Sequence, residues 1–296
     1  MITHIRARHD ALSPMTRGII GMVIALFLFS CMDSVAKGLL ERYPPFEVVW
    51  ARYAGQTAMM ALIFMPSLAR RLKTKHLKLQ LLRSFFIFGG TVFFFAALAV
   101  MPFAEAVAVF EIAPLIITVL SAFVLREHVG PRRWMGVVIG LMGMLIILRP
   151  GFGVFQTAAL LPACAAFCYA SFQIATRYLG GADSIWTTLL YTTGVGTILA
   201  SLALPWIWVT PTLEDAVIMA LFGGFGMLGH IFLVYALSQA PASALAPFNY
   251  MGFVWASLLG FFWFAEVPDA PTLIGASVII SAGIYVWHRE RVRSGQ

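Results

Sequence analysis

Residues 81–127 read LLRSFFIFGGTVFFFAALAVMPFAEAVAVFEIAPLIITVLSAFVLRE, which is two apolar runs separated by a short break at Met101-Pro102. A helix of about 20 apolar residues, rising 1.5 Å per residue, matches the hydrocarbon core of a bilayer. The same pattern recurs along the chain, in which hydrophobic residues make up 60% and charged residues 11%. Soluble domains average about 25% charged residues. The sequence therefore predicts an all-α, polytopic membrane protein.

The apolar runs predict ten transmembrane helices joined by short connections. The loops and tails are too short to hold a soluble domain, so any activity must take place within the bundle. The predicted spans are residues 18–39, 46–66, 81–100, 104–125, 131–149, 157–178, 184–208, 215–237, 241–264 and 270–288.

The distribution of positive charge predicts the topology. If the N-terminus is cytoplasmic, sixteen of the 20 Lys and Arg residues fall on the cytoplasmic side, and only Lys37, Arg42, Arg52 and Arg149 fall outside. The positive-inside rule then places both termini in the cytoplasm. We expect a multi-pass protein of a bacterial cytoplasmic (inner) membrane. Because the net charge of +7 follows from this topology, it does not indicate a nucleic-acid partner.

The second half of the sequence repeats the first at an offset of 139 residues. Pro102 aligns with Pro241, Glu127 with Glu266, and Gly136 with Gly275. The repeat predicts two five-helix halves, residues 1–150 and 151–296, within a single membrane domain. Five helices is an odd number, so the second half enters the membrane from the opposite side, as in secondary transporters. The two repeated glutamates lie at helix ends, which favours a hinge or loop-anchoring role.

Several of these motifs resemble a known family. Glu111-Ile-Ala-Pro114, Leu125-Arg-Glu127 and the glycines at 136, 140 and 143 are similar to the signature of the fourth and fifth helices in the drug/metabolite transporter superfamily. Ala246-Pro-Phe-Asn-Tyr250 and Phe264-Ala-Glu266 resemble its second copy. Over its whole length the chain resembles the ten-helix EamA-type metabolite exporters. The two copies differ in the position of a proline: the second copy has Pro247 early in the ninth span and no proline opposite Pro114. We therefore expect the two halves to bend differently.

A few polar residues lie deep within the apolar spans. A charge at the centre of a bilayer costs at least about 2.5–3.5 kcal/mol on insertion scales, so it usually faces a cavity or a partner. The repeat relates several of these positions, and the first, third and fourth helices of each half contribute a polar group near mid-depth. We expect a central substrate site, with two neighbouring aromatic residues able to stack on a ligand. Its candidate residues are Asp33, Thr91, Phe110, Glu111, Tyr169, Gln173, His230, Asn249 and Tyr250.

Structural roles remain open for some of these groups. Asp33 and Lys37 are four residues apart and can neutralise each other on one helix face. His230 can hydrogen-bond the helix backbone as a core histidine. No basic residue lies within about four turns of Glu111 on its own helix. Of these groups, Glu111 is therefore the one for which a purely structural role is hardest to support. Arg52 is interpreted as an interfacial residue near the outer end of the second span.

We therefore predict a secondary transporter that exports small metabolites by alternating access. The family resemblance favours amino acids, including aromatic and hydrophobic ones; the alternative is uptake of a larger metabolite such as S-adenosylmethionine or riboflavin. The sequence lacks a Walker motif and the HExxH and GxSxG motifs, so we expect neither an ATP-driven pump nor an enzyme. Cys31, Cys164 and Cys168 lie within spans, and we expect no metal and no cofactor. The expected partners are a small-molecule substrate and the lipid bilayer, and a monomer is compatible with the sequence.

The predicted topology can be tested with a reporter fused after Arg293. A reporter that is active only in the cytosol should be active there, whereas one that requires the periplasm should be inactive. A matched fusion in the connection after the first span should give the opposite pattern. Periplasmic activity of the C-terminal fusion would contradict the predicted orientation.

Overall fold

A computed structural model describes residues 12–127, 130–148 and 157–294. Within these ranges the chain forms helices joined by short turns, and no β-strand is present. The all-α class that the sequence predicts is therefore confirmed. The predicted boundary between the halves at residue 150 lies outside the described residues, as do Arg6, Arg8 and Arg149 of the charge pattern.

The long helices follow the predicted spans, with short helical segments between some of them. The α-helices are α1 (Pro14–Leu40), α2 (Pro45–Phe64), α3 (Leu68–Arg71), α4 (Leu77–Leu98), α5 (Phe103–Phe110), α6 (Ala113–Val124), α7 (Pro131–Leu148), α8 (Leu160–Leu179), α9 (Ile185–Ser201), α10 (Leu204–Ile207), α11 (Leu213–Gln239), α12 (Ala242–Leu245), α13 (Met251–Phe264) and α14 (Ala270–Ser294). Three 3₁₀ turns occur at Met65–Ser67, Thr157–Ala159 and Ala246–Tyr250.

Four helical stretches in the described residues are long and apolar enough to cross a membrane by themselves. They are Pro14–Leu40, Leu77–Leu98, Phe103–Val124 and Leu213–Gln239. Other predicted spans are shorter, or they carry buried polar groups that lower their hydropathy. In α2, for example, Glu47, Arg52 and Gln56 are all buried. Polar groups that face a protein interior do not prevent a helix from crossing a bilayer.

The predicted spans 104–125 and 241–264 are each interrupted near the middle. The first breaks between Phe110 and Ala113, where the ring of Pro114 prevents a continuous hydrogen-bond ladder. The second contains the five-residue 3₁₀ turn Ala246–Tyr250. The interruptions therefore differ in form, although Glu111 and Tyr250 occupy aligned positions. A break at this depth frees backbone groups and changes the direction of the following side chains.

Contacts between helices run mainly across the two predicted halves. Helix α1 packs most extensively on α11, and α4 packs most extensively on α8. In the same way α7 packs on α14, and α2 packs on α9 and α11. A buried apolar cluster near α1 combines Met22 and Ile117 from the first half with Phe172 and Leu233 from the second. Neither half therefore encloses a core of its own.

The ends of α6 and α13 have the same local geometry. Arg126 and Ala265 both have φ of 53°, in the left-handed region that non-glycine residues rarely adopt. In each case the next residue is a glutamate, whose backbone N–H donates to the carbonyl six residues earlier at 3.1 Å. Arg126 and Ala265 are 139 residues apart, the offset of the sequence repeat.

Close approach of α2 and α11 depends on glycines. A Cβ atom on Gly223 would lie 2.9 Å from the carbonyl oxygen of Arg52, and one on Gly55 would lie 3.1 Å from the carbonyl oxygen of Ala220. Two backbones can therefore pack against each other directly, as small residues allow in membrane helices. This contact fixes the depth and the direction of Arg52.

Replacing Gly223 by alanine should therefore destabilise the fold. The added methyl group meets backbone atoms that cannot move without shifting α2, and overpacking of this kind costs about 1–3 kcal/mol. Gly38→Ala is a matched control, because no atom lies within 4 Å of the added Cβ. The control should leave stability unchanged or raise it by up to about 1 kcal/mol. Thermal unfolding in detergent measures both, and equal unfolding midpoints would contradict this account of the α2–α11 contact.

Candidate central cavity

A cavity lies where helices of both halves meet. Its volume is about 90 Å³, which is room for a few water molecules at about 30 Å³ each. Its wall combines charged, polar and aromatic side chains from α1, α2, α4, α5, α8, α11 and the turn before α13. The lining includes Phe29, Asp33, Arg52, Thr91, Phe94, Phe110, Glu111, Tyr169, His230, Asn249 and Gly252.

Arg52 provides the positive charge of the cavity. The residue is only 4% exposed, and its Nη1 atom donates to Thr91 Oγ1 at 2.8 Å. Its guanidinium lies 5.2 Å from the ring centre of Tyr53 and 5.8 Å from that of Phe95. Both distances suit a cation–π contact. The two rings and the threonine hydroxyl hold the guanidinium at the wall, while its Nε atom has no hydrogen-bond partner among the described residues.

Asp33 and Glu111 provide two carboxylates. Asp33 interacts electrostatically with Arg52, but the described ion pairs do not include these two groups. Glu111 is 5% exposed and accepts a hydrogen bond from the backbone N–H of Phe253. A Cβ atom on Gly252 would lie 3.2 Å from Glu111 Oε1. The glycine therefore leaves room for the carboxylate to reach the start of α13.

Polar and aromatic groups of the second half complete the wall. Asn249 Oδ1 accepts from Gln173 Nε2 at 3.0 Å, and the Tyr169 hydroxyl lies 3.4 Å from the same oxygen. The rings of Phe110 and Tyr169 have centroids 5.2 Å apart, and those of Phe94 and Phe110 are 5.1 Å apart. These three rings form a continuous aromatic surface beside Glu111. The site can therefore hold an apolar group next to a charged one.

His230 has both a structural contact and a free nitrogen. Its Nδ1 atom lies 2.7 Å from the carbonyl oxygen of Gly226. Because a carbonyl only accepts, Nδ1 carries the hydrogen. The ring packs edge-on against Phe29 and Phe172. Its Nε2 atom is buried and has no hydrogen-bond partner among the described residues, so it remains available to a ligand in the cavity.

A second buried arginine lies outside the cavity. Arg83 is fully buried, although the sequence pattern groups it with the cytoplasmic charges. Its Nε donates to Thr176 Oγ1 at 3.1 Å and its Nη1 to Thr192 Oγ1 at 2.9 Å. Gln80 links it to an acid, because Gln80 Oε1 accepts from Arg83 while Gln80 Nε2 donates to Asp183 Oδ2. Arg83 therefore ties α4 to α8 and α9, and its guanidinium stacks 4.7 Å from the ring centre of Phe172.

Seven of the nine residues that the sequence suggests for the site line this one cavity. Gln173 lies one hydrogen bond behind Asn249, and Tyr250 is not among the lining residues. The Tyr250 hydroxyl instead lies 3.5 Å from where a Cβ atom on Gly140 would be. In the described residues, no three His, Cys, Asp or Glu side chains converge on a position suited to a metal ion.

Two charged residues differ from their sequence interpretation. Arg52 is not interfacial, because it lies two turns from the start of α2 and faces the cavity. Its distance from Pro45, about 10 Å at 1.5 Å per residue, is the sequence feature that indicates this depth. Lys37 does not neutralise Asp33; it lies 3.4 Å from Glu266 of the other half.

The fold and the cavity together are those of a membrane protein with a central site: an apolar helical bundle surrounds a largely apolar cavity whose wall carries a few charged and polar side chains. Comparison with known proteins gives its family. The model of the EamA-like transporter family matches residues 16–149 and again residues 156–287. The chain therefore belongs to the EamA-like transporter family, whose members are secondary transporters of the drug/metabolite transporter type.

Curated relatives extend over nearly the whole chain. An S-adenosylmethionine uptake transporter of Rickettsia bellii is 28% identical over 96% of this chain and 97% of its own length. The pseudopaline exporter CntI of Pseudomonas aeruginosa is 29% identical over 90% of this chain and 94% of its own. A riboflavin transporter of Vibrio cholerae is 29% identical over 94% of this chain and 95% of its own length. One crystal structure matches with a TM-score of 0.70 at 20% identity, covering 90% of this chain and 95% of that one, which shows a shared fold.

Cysteine labelling tests whether the cavity is reached by water during the transport cycle. In a variant whose three native cysteines are replaced by serine, Asn249→Cys should react with a small water-soluble thiol reagent. The Asn249 and Tyr250 side chains are both buried in the described conformation, so only opening of the cavity to water distinguishes them. Tyr250→Cys, the neighbour outside the lining, should therefore react at least about tenfold more slowly. Mass spectrometry of the labelled protein measures both rates. Equal rates at the two positions would show that the cavity is not the aqueous chamber.

Proposed function

We propose that the protein carries a small metabolite through this cavity by alternating access. In this proposal the bundle has ten spans arranged as two inverted five-helix halves, and both termini are cytoplasmic. Three observations support it: the family model matches the chain twice, the main helix contacts cross the halves, and local geometry recurs at the 139-residue offset. Inverted halves can exchange conformations, so the inward-open and outward-open states have similar energies.

The substrate class that we propose is a metabolite carrying an α-ammonium and a carboxylate, with amino acids as the first choice. The observation that carries this proposal is the presence of two carboxylates and one guanidinium in the same buried cavity. Asp33 and Glu111 suit an ammonium group, and Arg52 suits a carboxylate. Phe94, Phe110 and Tyr169 provide an aromatic wall for an apolar side chain, which favours aromatic and hydrophobic amino acids.

In this proposal transport is export across the bacterial inner membrane, and the substrate gradient supplies the direction. The cavity of about 90 Å³ is small, since ligand pockets usually measure about 300–1,000 Å³. Substrate entry therefore requires the helices to separate on one side. The described conformation is then one in which the cavity is too narrow for the substrate.

Uptake of S-adenosylmethionine is the second candidate. This molecule has the same α-ammonium and carboxylate, and it adds a sulfonium cation and an adenine ring. Two carboxyl groups can bind the ammonium and the sulfonium, one guanidinium can bind the carboxylate, and the aromatic wall suits the adenine. The length-matched relatives named for S-adenosylmethionine uptake support this candidate. Riboflavin has no charged group for Arg52 and the carboxylates to bind, so the cavity favours it less.

Counterflow in proteoliposomes distinguishes these substrates. Liposomes loaded with unlabelled phenylalanine, S-adenosylmethionine or riboflavin should take up the matching labelled compound only where the carrier exchanges it. We expect exchange of phenylalanine, and exchange of S-adenosylmethionine alone would select the second candidate. Exchange of riboflavin alone would contradict the proposed substrate class.

Variants of the two carboxylates then test the site. Asp33→Asn and Glu111→Gln should each raise the half-saturating substrate concentration about tenfold or more, because a charge-assisted hydrogen bond contributes about 1.5–3 kcal/mol. Glu214→Gln, at an exposed position in the first turn of α11, is the control and should behave like the wild type. If Glu111 carries a proton, Glu111→Gln should retain exchange at equal pH but lose accumulation driven by a pH gradient. Unchanged transport in both variants would contradict the proposed site.

A further inference from the structure

Two ion pairs join the predicted halves at equivalent positions. Lys37 Nζ lies 3.4 Å from Glu266 Oε1, and Arg177 Nε lies 3.9 Å from Glu127 Oε1. Each basic residue lies in the last turn of its helix, α1 or α8. Each glutamate directly follows the left-handed residue that ends α6 or α13. Each pair therefore links the first long helix of one half to the interrupted helix of the other.

The basic residues also make equivalent backbone contacts within their own halves. Lys37 Nζ donates to the carbonyl oxygen of Met101 at 3.0 Å, just past the end of α4. Arg177 Nη1 donates to the carbonyl oxygen of Leu237 at 3.0 Å, near the end of α11. Each cation thus holds a helix end of its own half against the glutamate of the other half. The carbonyl of Leu237, in the last turn of its helix, carries partial negative charge that suits such a cation.

The glutamate on one side is further fixed by the backbone. Glu266 Oε2 accepts from the backbone N–H of Phe103 at 2.8 Å, at the start of α5. Lys37 also lies 5.7 Å from the ring centre of Phe264. The contact therefore closes a ring through α1, the α4–α5 connection and the end of α13. Separating the halves at this end requires the ion pair to break.

Neither pair is deeply buried. The exposed fractions of the side chains are 13% and 23% for Lys37 and Glu266, and 29% and 18% for Arg177 and Glu127. Partly exposed ion pairs are weak because water competes for both charges. Such pairs are stable enough to bias a conformation and can still open repeatedly, as a transport cycle requires.

We infer that these two ion pairs are the alternating closing contacts of the carrier. Lys37–Glu266 closes the outer end of the central cavity, and Arg177–Glu127 closes the inner end. Both are formed in the described conformation, in which the cavity measures about 90 Å³. Opening to one side breaks one pair and keeps the other, so the four residues contribute to the balance between the two open states, together with other contacts across the halves such as the ion pair of Arg42 with Asp215 at 2.8 Å. This inference rests on the proposed inverted arrangement of the halves.

Labelling from each side of the membrane tests this assignment without knowledge of the substrate. Asn249→Cys, in the variant without native cysteines, reports the cavity, and a membrane-impermeant maleimide is added outside or inside sealed vesicles of known orientation. Glu266→Gln should increase labelling from outside by at least about threefold and decrease labelling from inside, since even a weak ion pair supports a population shift of this size. Glu127→Gln should do the reverse, and Glu214→Gln should change neither.

Removing the cations should reproduce these shifts, with Lys37→Gln matching Glu266→Gln and Arg177→Gln matching Glu127→Gln. The exchanged pair Lys37→Glu with Glu266→Lys should return labelling towards the wild-type pattern. Equal labelling in all variants, or shifts in the same direction for both pairs, would overturn the inference. Opposite shifts with the two sides exchanged would keep the closing role but refute the proposed topology, so the two failures are distinguishable.

Discussion

A charged group inside an apolar bundle must find its partners within the protein, because the lipid offers none. This constraint explains where the two halves meet. Arg83 is held by threonines of α8 and α9, and Lys37 is held by Glu266. In both cases the basic residue belongs to one half and has partners in the other as well as in its own. The same constraint draws Asp33, Arg52 and Glu111 to a common polar chamber instead of the lipid-facing surface.

Much of the fold could be predicted from the sequence, because the apolar runs and the repeat are patterns of spacing. The long helices follow the runs, and the polar residues within them gather in one place. Asp33, Glu111 and His230 are predictable because each is an isolated polar group in an apolar stretch and the repeat relates their positions. The interruption at Glu111 was also indicated by Pro114.

Other parts of the site depend on helix rotation and depth, which spacing does not determine. Arg52 lies two turns inside α2, and only the contact of Gly55 and Gly223 directs it towards Thr91. Tyr250 aligns with Glu111 in the repeat, yet the 3₁₀ turn around Pro247 rotates it away from the cavity lining. The ion pair of Lys37 with Glu266 joins residues that are far apart in the sequence, so spacing along one helix does not predict it. Spacing along the sequence offers Lys37 a partner four positions away on the same helix, Asp33.

The crossing contacts also affect how the chain is made. Membrane proteins are synthesised from the N-terminus, so α4 enters the bilayer before α8 and α9 exist. Until they arrive, Arg83 lacks Thr176, Thr188 and Thr192, which supply most of its hydrogen bonds. A buried cation without these partners is costly in lipid. We therefore expect the first half alone to be less stable in the bilayer than the complete bundle, because Arg83 gains these partners only when α8 and α9 are in place.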